Sequence, residues 1–273
     1  MASVRFRDLQ VAAGRILSGL DHAVAPTGGM AGSDDAGRVF AERYDPAAQS
    51  VCSGLVRARK QLADAADRLL AMAWNCLQAE QGSNFRVPQV FGDVPERSRP
   101  ADDPLIAVPS AAGAGEQSGR PLIGQFWPHG DPERLRPAAA AWGRVAELTE
   151  ELSRRSTTIV AEMADANGGA AIDAFAESWT PLTTLLTEVA TTSRKLNTAC
   201  DFFARRIEDQ RHTIEAVEED VTRASQVAAL AGADTAIDNC IRNLPVITPM
   251  PVPEGVALFR SGNQDVEAAG DPP

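Results

Sequence analysis

Aromatic residues are scarce in this chain: they make up 5% of 273 residues, with a single tyrosine. A core must therefore come from Ala, Leu and Val, a mixture that favours helices over sheets. Positive charge is also in short supply. Lys and Arg total 26 against 37 Asp and Glu, for a net charge of -11. Such a chain gains no counterion-release affinity for nucleic acid or for an anionic leaflet, so no nucleic-acid partner is expected. The four cysteines, Cys52, Cys76, Cys200 and Cys240, lie far apart and form no C-x-x-C pair, which excludes a zinc knuckle or a redox motif. No stretch approaches the roughly 18 apolar residues of a spanning helix. Arg5, Arg7, Asp8 and Arg15 interrupt the region where a signal peptide would need an uncharged core. The expectation is a chain with no membrane span and no cleaved leader, cytoplasmic before any export.

What is present is helical periodicity separated by proline and glycine. Residues 85–125 carry Pro88, Pro95, Pro100, Pro104, Pro109 and Pro121 with five glycines and read as a linker or extended strap. Residues 232–273 read as a short helix followed by a proline-rich tail, disordered or extended. Ahead of both, Val51, Leu55, Ala58, Leu62, Ala65, Leu69, Met72 and Cys76 recur at alternating steps of four and three, the seam of a helix packed lengthwise on another. Its expected partner spans about Val4–Val24. Asp131-Pro132-Glu133 predicts an N-cap, a first-turn proline and an acidic first turn. The helix it opens is expected to bury Leu135, Trp142, Val145, Leu148, Leu152, Ile159 and Met163. A longer seam follows from Ile172 through Phe175, Trp179, Leu182, Leu186, Val189, Ser193, Leu196, Cys200, Phe203, Ile207, Gln210, Ile214 and Val217 to Val221, interrupted only by Ser193 and Gln210. Leu182–Ala231 contains neither Gly nor Pro and could run about 75 Å as one helix at 1.5 Å per residue. Its antiparallel neighbour is shorter, so the rest of the seam needs the first region, a partner chain or a helix break.

The two helical regions repeat one another. Phe40-Ala41-Glu42-Arg43-Tyr44-Asp45-Pro46 and Phe175-Ala176-Glu177-Ser178-Trp179-Thr180-Pro181 share Phe, Ala, Glu and Pro in register, with an aromatic residue two positions before each proline. Each follows a glycine turn, Gly28–Gly32 in one copy and Asn167-Gly168-Gly169 in the other. The expected unit is helix, glycine turn, short helix, and a cap and proline that restart a long helix. The fold class is thus all-α: two long antiparallel hairpins, 1–84 and 126–231, joined by the linker 85–125 and followed by the tail 232–273.

Met30-Ala31-Gly32-Ser33-Asp34-Asp35-Ala36-Gly37, Phe40-Ala41, Tyr44-Asp45-Pro46 and Asn75-Cys76-Leu77-Gln78-Ala79-Glu80 resemble the first hairpin of the WXG-like N-terminal regions of actinobacterial polymorphic toxins. Phe126-Trp127-Pro128-His129-Gly130-Asp131-Pro132-Glu133-Arg134-Leu135-Arg136, leading to Trp142, is similar to the opening of the second such hairpin in those toxins and in CpnT-like channel proteins. The resemblance implies a non-catalytic export platform of type VII (ESX-type) secretion. Its partners would be a WXG-type helical protein, or a second copy, and the secretion machinery; its destination would be the medium or cell surface. The toxin domain is expected outside this chain. Where the family has Trp-x-Gly this sequence has Met30-Ala31-Gly32 and Asn167-Gly168-Gly169. In the export signature Tyr-x-x-x-Asp/Glu, Cys76 takes the tyrosine position before Glu80. Those departures favour a second reading, a cytoplasmic structural or adaptor coiled coil that is not exported.

The candidate residues are therefore Cys76 and Glu80 for a secretion signal, Trp127 and Asp131 for partner contact, and Gly32, Gly168 and Gly169 for the hairpin turns. Trp127–Asp131 admits two readings, a recognition patch or a staple and cap that fix where the second hairpin starts. No cofactor or metal is expected: His22, His129 and His212 lack ligands at metal spacing, and Glu215, Glu218, Glu219 and Asp220 read as a solvated helix face. The glycine pairs lack the flanking strands of a nucleotide site. No ordered Ser, His and Asp set points to an enzyme.

Overall fold

The computed structural model describes residues 2–83, 106–113, 127–166 and 169–231. Four helices carry it: α1 (Ala2–Val24), α2 (Asp35–Ser83), α3 (Pro132–Ala166) and α4 (Ala170–Ala231), with a 3-10 turn at Ala25–Thr27 after α1. The fold is all-α, and the described residues include no strand, only an isolated parallel bridge between Gly32 and Ala112. No described helix is long and apolar enough to cross a membrane.

The chain gathers into two compact units. The first is drawn from Met1–His22, Gln49–Ala107 and Gly143–Arg194, the second from Ala23–Ala48, Val108–Trp142 and Lys195–Pro273. Each takes segments from both halves of the sequence.

In the first unit the seam of α2 is buried from Val51 through Leu55, Ala58, Leu62 and Ala65 to Leu69. It meets α1, where Gly14 lies against Arg59 of α2, and also α4, where a Cβ on Gly54 would stand 2.7 Å from Val189 Cγ2. Phe6 of α1 completes the aromatic cluster with Phe175 and Trp179 of α4, at centroid distances of 6.1 and 4.8 Å. Among the options for the long α4 seam, a partner from the chain's own first region is realised in this unit. Exposed pairs Arg194–Glu150 and Arg5–Glu162 decorate the surface and contribute little.

Two expectations need correcting. Leu148 is 51% exposed, and Thr149 occupies the seam in its place, fully buried. The buried positions of α3 run Ala138, Trp142, Val145, Thr149, Leu152, Ser156, Ile159 and Met163, which keeps the alternating four and three steps that Leu148 breaks. Ser156 Oγ donates to the Ser153 carbonyl at 2.7 Å, and Ser193 of α4 is likewise buried with its Oγ on the Val189 carbonyl at 2.8 Å. The Ser156 and Ser193 hydroxyls thus satisfy themselves on their own helix and can enter an apolar seam, whereas Thr149 Oγ1 is buried there without a hydrogen-bond partner.

The prolines do not restart helices. Pro46 lies inside α2 and Pro181 inside α4. The expected cap at Asp45 is used elsewhere, its Oδ1 accepting from Ala111 N at 2.9 Å. An internal proline removes one donor and crowds the carbonyl four residues back; both helices continue through it because the flanking turns are held by buried Phe40 and Tyr44 in one, Phe175 and Trp179 in the other.

Candidate docking site at the first hairpin turn

In the second unit the chain leaves α1 through Pro26, whose fixed φ suits a tight turn. Thr27 is buried and donates from Oγ1 to the Val24 carbonyl at 2.7 Å. Met30 N returns to the Thr27 carbonyl at 3.1 Å and Gly32 N to the Gly29 carbonyl at 3.1 Å. Gly32 has φ +88°, and a Cβ there would stand 2.6 Å from the His129 carbonyl carbon. Both the left-handed backbone and the close approach demand glycine.

Two segments distant in sequence close on this turn. Residues 108–113 run alongside it as a strap: Gly29 N donates to the Ser110 carbonyl at 2.9 Å, Ala31 N to Ala111 at 2.8 Å, and Gly113 N to Gly32 at 3.1 Å. Trp127–Asp131 forms the other side. Asp131 N donates to the Met30 carbonyl at 2.8 Å, and His129 N to Asp34 Oδ2 at 3.0 Å. Asp34 Oδ1 accepts from Gly37 N at 2.7 Å, so one carboxylate caps α2 and anchors the approaching chain. Ser33 Oγ and His129 Nδ1 lie 2.9 Å apart. Asp131 caps α3 through Oδ1, which accepts from Glu133 N at 2.9 Å and Arg134 N at 3.2 Å.

Two arginines lock the arrangement. Arg134 directs its guanidinium onto the Pro26 and Gly28 carbonyls. Arg211 of α4 donates from Nη2 to the Gly130 carbonyl at 2.8 Å, and its guanidinium lies 5.1 Å from the centroid of the half-buried Trp127 ring. A Cβ on Gly130 would meet Ile207 Cδ1 at 2.4 Å, which fixes this segment against α4. These pairings order backbone rather than poise a reaction: the Asp34 carboxylate is spent on main-chain amides and does not orient the His129 ring.

Beneath the turn lies an aromatic layer. Phe40 stacks on Tyr44 at 5.4 Å and on Phe203 of α4 at 4.5 Å. Trp142 of α3 donates from Nε1 to Tyr44 Oη at 3.0 Å, so the only tyrosine joins α2 to α3. Sequence reading placed Trp142 in a seam and Tyr44 in the repeat but missed their bond; the pairing of rare aromatics between two repeats is the signal that could have found it.

The turn brings together Gly32, Trp127 and Asp131 from the sequence candidates. Gly169 lies in the first unit, between α3 and α4, with φ +124°. Cys76 and Glu80 fall on the last turns of α2; their side chains, and Gly168, lie outside the described residues. Among the described residues no group of three His, Cys, Asp or Glu could hold a metal ion.

Burial sets the titration of three groups. It holds Tyr44 well above the usual phenol value, with Cys200 adding to the effect. Burial raises Cys200 far above an ordinary thiol, with Asp201 contributing. It pushes Cys52 up to about 12, helped by Asp21. All three are raised, so the folded chain keeps protons that the unfolded chain releases, and their stabilising effect is complete below the ordinary thiol value of 9.0. As pH climbs through the interval from 9.0 toward about 12 this contribution is lost. Thermal melts should therefore show a Tm insensitive to these groups below pH 9.0 and declining above it; a Tm that holds into the alkaline range would contradict their burial as neutral groups.

Paired helices meeting at glycine turns, with a Trp-Pro-x-Gly-Asp segment clamped on one turn, define a helical-hairpin module. Residues 118–241 match the family model described as a WXG100 like domain. The chain is 33% identical over 153 residues to the outer membrane channel protein CpnT of Mycobacterium tuberculosis (strain ATCC 25618 / H37Rv) and of Mycobacterium bovis (strain BCG / Pasteur 1173P2), a match covering 50% of this chain and 17% of each relative. It is 35% identical over 136 residues to a Mycobacterium avium (strain 104) protein named as an NAD(+)--arginine ADP-ribosyltransferase, Mav, over 47% of this chain and 16% of that one. The matches thus span under a fifth of these relatives' lengths. No solved structure matches the chain. About half of this all-α chain is thus similar to a WXG100 like domain and to part of the CpnT proteins.

Proposed function

We propose that this chain is the non-catalytic export and docking module of a type VII secretion effector, standing N-terminal to its cargo and acting by helix–helix association. The observation that carries the reading is the Trp127–Asp131 segment, which lies within the WXG100-like match and is clamped onto the Gly32 turn. A turn fixed by backbone pairings presents the same surface to every partner, which lowers the ordering cost of recognition. Trp127 and Asp131 serve that surface, one by its half-buried ring and the other by capping α3. Gly169, at φ +124° between α3 and α4, marks the corresponding turn of the second repeat. Partners are a WXG-type helical protein or a second copy, together with the secretion ATPase. Catalysis belongs to a segment of the effector other than residues 1–273, and the product travels to the medium or cell surface after a cytoplasmic stage.

The test is an immunoblot of cytosolic and secreted fractions in the native host, with and without an intact type VII ATPase. ATPase-dependent appearance in the medium is expected. Strict retention would overturn export and favour the cytoplasmic adaptor, to which the Met30-Ala31-Gly32 turn and Cys76 point. Cys76 and Glu80 are proposed as the remnant of the signal. Glu80→Ala is expected to reduce the secreted yield severalfold while far-UV circular dichroism stays unchanged; equal yield would show that this position carries no signal.

A further inference from the structure

The 135-residue shift that carries Phe40 onto Phe175 also carries Tyr44 onto Trp179, Pro46 onto Pro181, and the first residue of α2 onto that of α4. Each copy keeps a stacked aromatic pair four residues apart: Phe40 and Tyr44 at 5.4 Å and 19°, Phe175 and Trp179 at 5.8 Å and 24°. In the second unit the pair is closed by Phe203 of α4, stacked on Phe40 at 4.5 Å. The same shift makes Arg68 of α2 the counterpart of Phe203, Asp64 that of Ala199 and Gln61 that of Leu196. No ring on α2 therefore closes the pair in the first unit, where Phe6 of α1 packs on it instead, 4.8 Å from Trp179, and a cavity of about 160 Å³ stands beside α2, lined by Gln61, Asp64, Arg68, Phe175, Trp179 and Pro181 among others. Two of its lining side chains hold buried polar atoms without a hydrogen-bond partner, Trp179 Nε1 and Gln61 Oε1. Trp179 is 6% exposed. In the second unit the indole of Trp142 has its acceptor, the Tyr44 hydroxyl.

We propose that this cavity seats a tyrosine side chain presented by a helical partner protein. An apolar cavity of about 150 Å³ holds a benzene ring, so one six-membered ring fits. A hydroxyl on that ring accepts from Trp179 Nε1 and donates to Gln61 Oε1, the two functions left unmet, whereas a phenylalanine ring supplies neither. Phe175 and Pro181 provide the apolar walls, and Arg68 and Asp64 flank them with both signs of charge. Residues 1–273 do not supply the occupant themselves, because their single tyrosine is Tyr44, buried and committed to Trp142. That the tyrosine belongs to a protein partner rests on the docking reading; the ring site itself does not, so a chain that binds the probe below and is never exported would separate the two.

The experiment titrates the full chain with p-cresol, the tyrosine side chain as a free molecule, while following the indole N–H resonances in a proton–nitrogen correlation spectrum. Trp179 is assigned by Trp179→Phe. The Trp179 resonance is expected to shift and saturate, with toluene binding roughly tenfold more weakly for want of both hydrogen bonds. Arg68→Phe supplies the ring that the second unit already has and is expected to abolish cresol binding with unchanged helicity. Gln61→Leu, which adds no bulk, is expected to weaken cresol about fivefold and leave toluene unaffected. An unmoved Trp179 resonance, toluene binding as tightly as cresol, or undiminished cresol binding by a folded Arg68→Phe or Gln61→Leu chain would each overturn the proposal.

Discussion

Trp142→Ala is expected to lower the unfolding free energy by about 3–5 kcal/mol, the range for emptying a buried aromatic site. Trp142 is 1% exposed on α3, packs edge-on against Tyr44 at 6.3 Å, and is the donor that satisfies the Tyr44 hydroxyl. Removing it leaves a large void and withdraws the donor from a buried oxygen. Trp142→Phe separates the two effects: the ring volume largely remains, the hydrogen bond goes, and the cost should fall to about 1 kcal/mol. Urea denaturation followed by far-UV circular dichroism measures both. Equal losses for the two variants would mean that the Trp142–Tyr44 bond, not packing, holds α3 to α2 in this unit.

Leu62→Asp should cost still more relative to its size, and is expected to abolish cooperative unfolding of the first unit. Leu62 is fully buried in the middle of the α2 seam, between Ala58 and Ala65. Leu62→Ala would lose the transfer free energy and leave a cavity, for about 2–5 kcal/mol. Aspartate adds the burial of a carboxylate with no cation in the seam to receive it, a penalty of several kcal/mol that the group evades only by staying protonated. Its pKa would then be raised, so the deficit should shrink as pH falls toward about 4 and grow above it. A melting curve matching the parent chain at neutral pH would mean that Leu62 does not face the core.

The long seams were legible because steps of three and four have one physical meaning, a continuous apolar stripe on a helix. Phe175, Leu186, Leu196 and Ile207 are all buried where that stripe puts them. The start of α3 was legible because a carboxylate before a proline can do little else than cap: Asp131 does so and α3 starts at Pro132. Leu148 misled because hydrophobicity outweighed spacing in its assignment; Thr149, less apolar but in step, took the buried place. Pro46 misled because a proline looks locally like a helix start, while the aspartate expected to cap it was claimed by a strap 66 residues away in sequence.

The turn site divides the same way. Gly32, Trp127 and Asp131 stood out individually, as a turn glycine, a rare aromatic and a cap. Nothing local joined Asp34 to His129 or Arg211 to Gly130, because those bonds span 95 and 81 residues. By itself the sequence determined an all-α chain of two repeats, the faces its helices bury and the points where α3 and its turns begin, since periodicity, capping and glycine geometry act within a few residues. Only the tertiary structure decided that each compact unit draws on both repeats, that Tyr44 answers Trp142, and that Arg68 leaves open the space that Phe203 fills. Those outcomes depend on which buried surfaces of similar composition meet, and apolar burial, being non-directional, does not write that choice into any one segment.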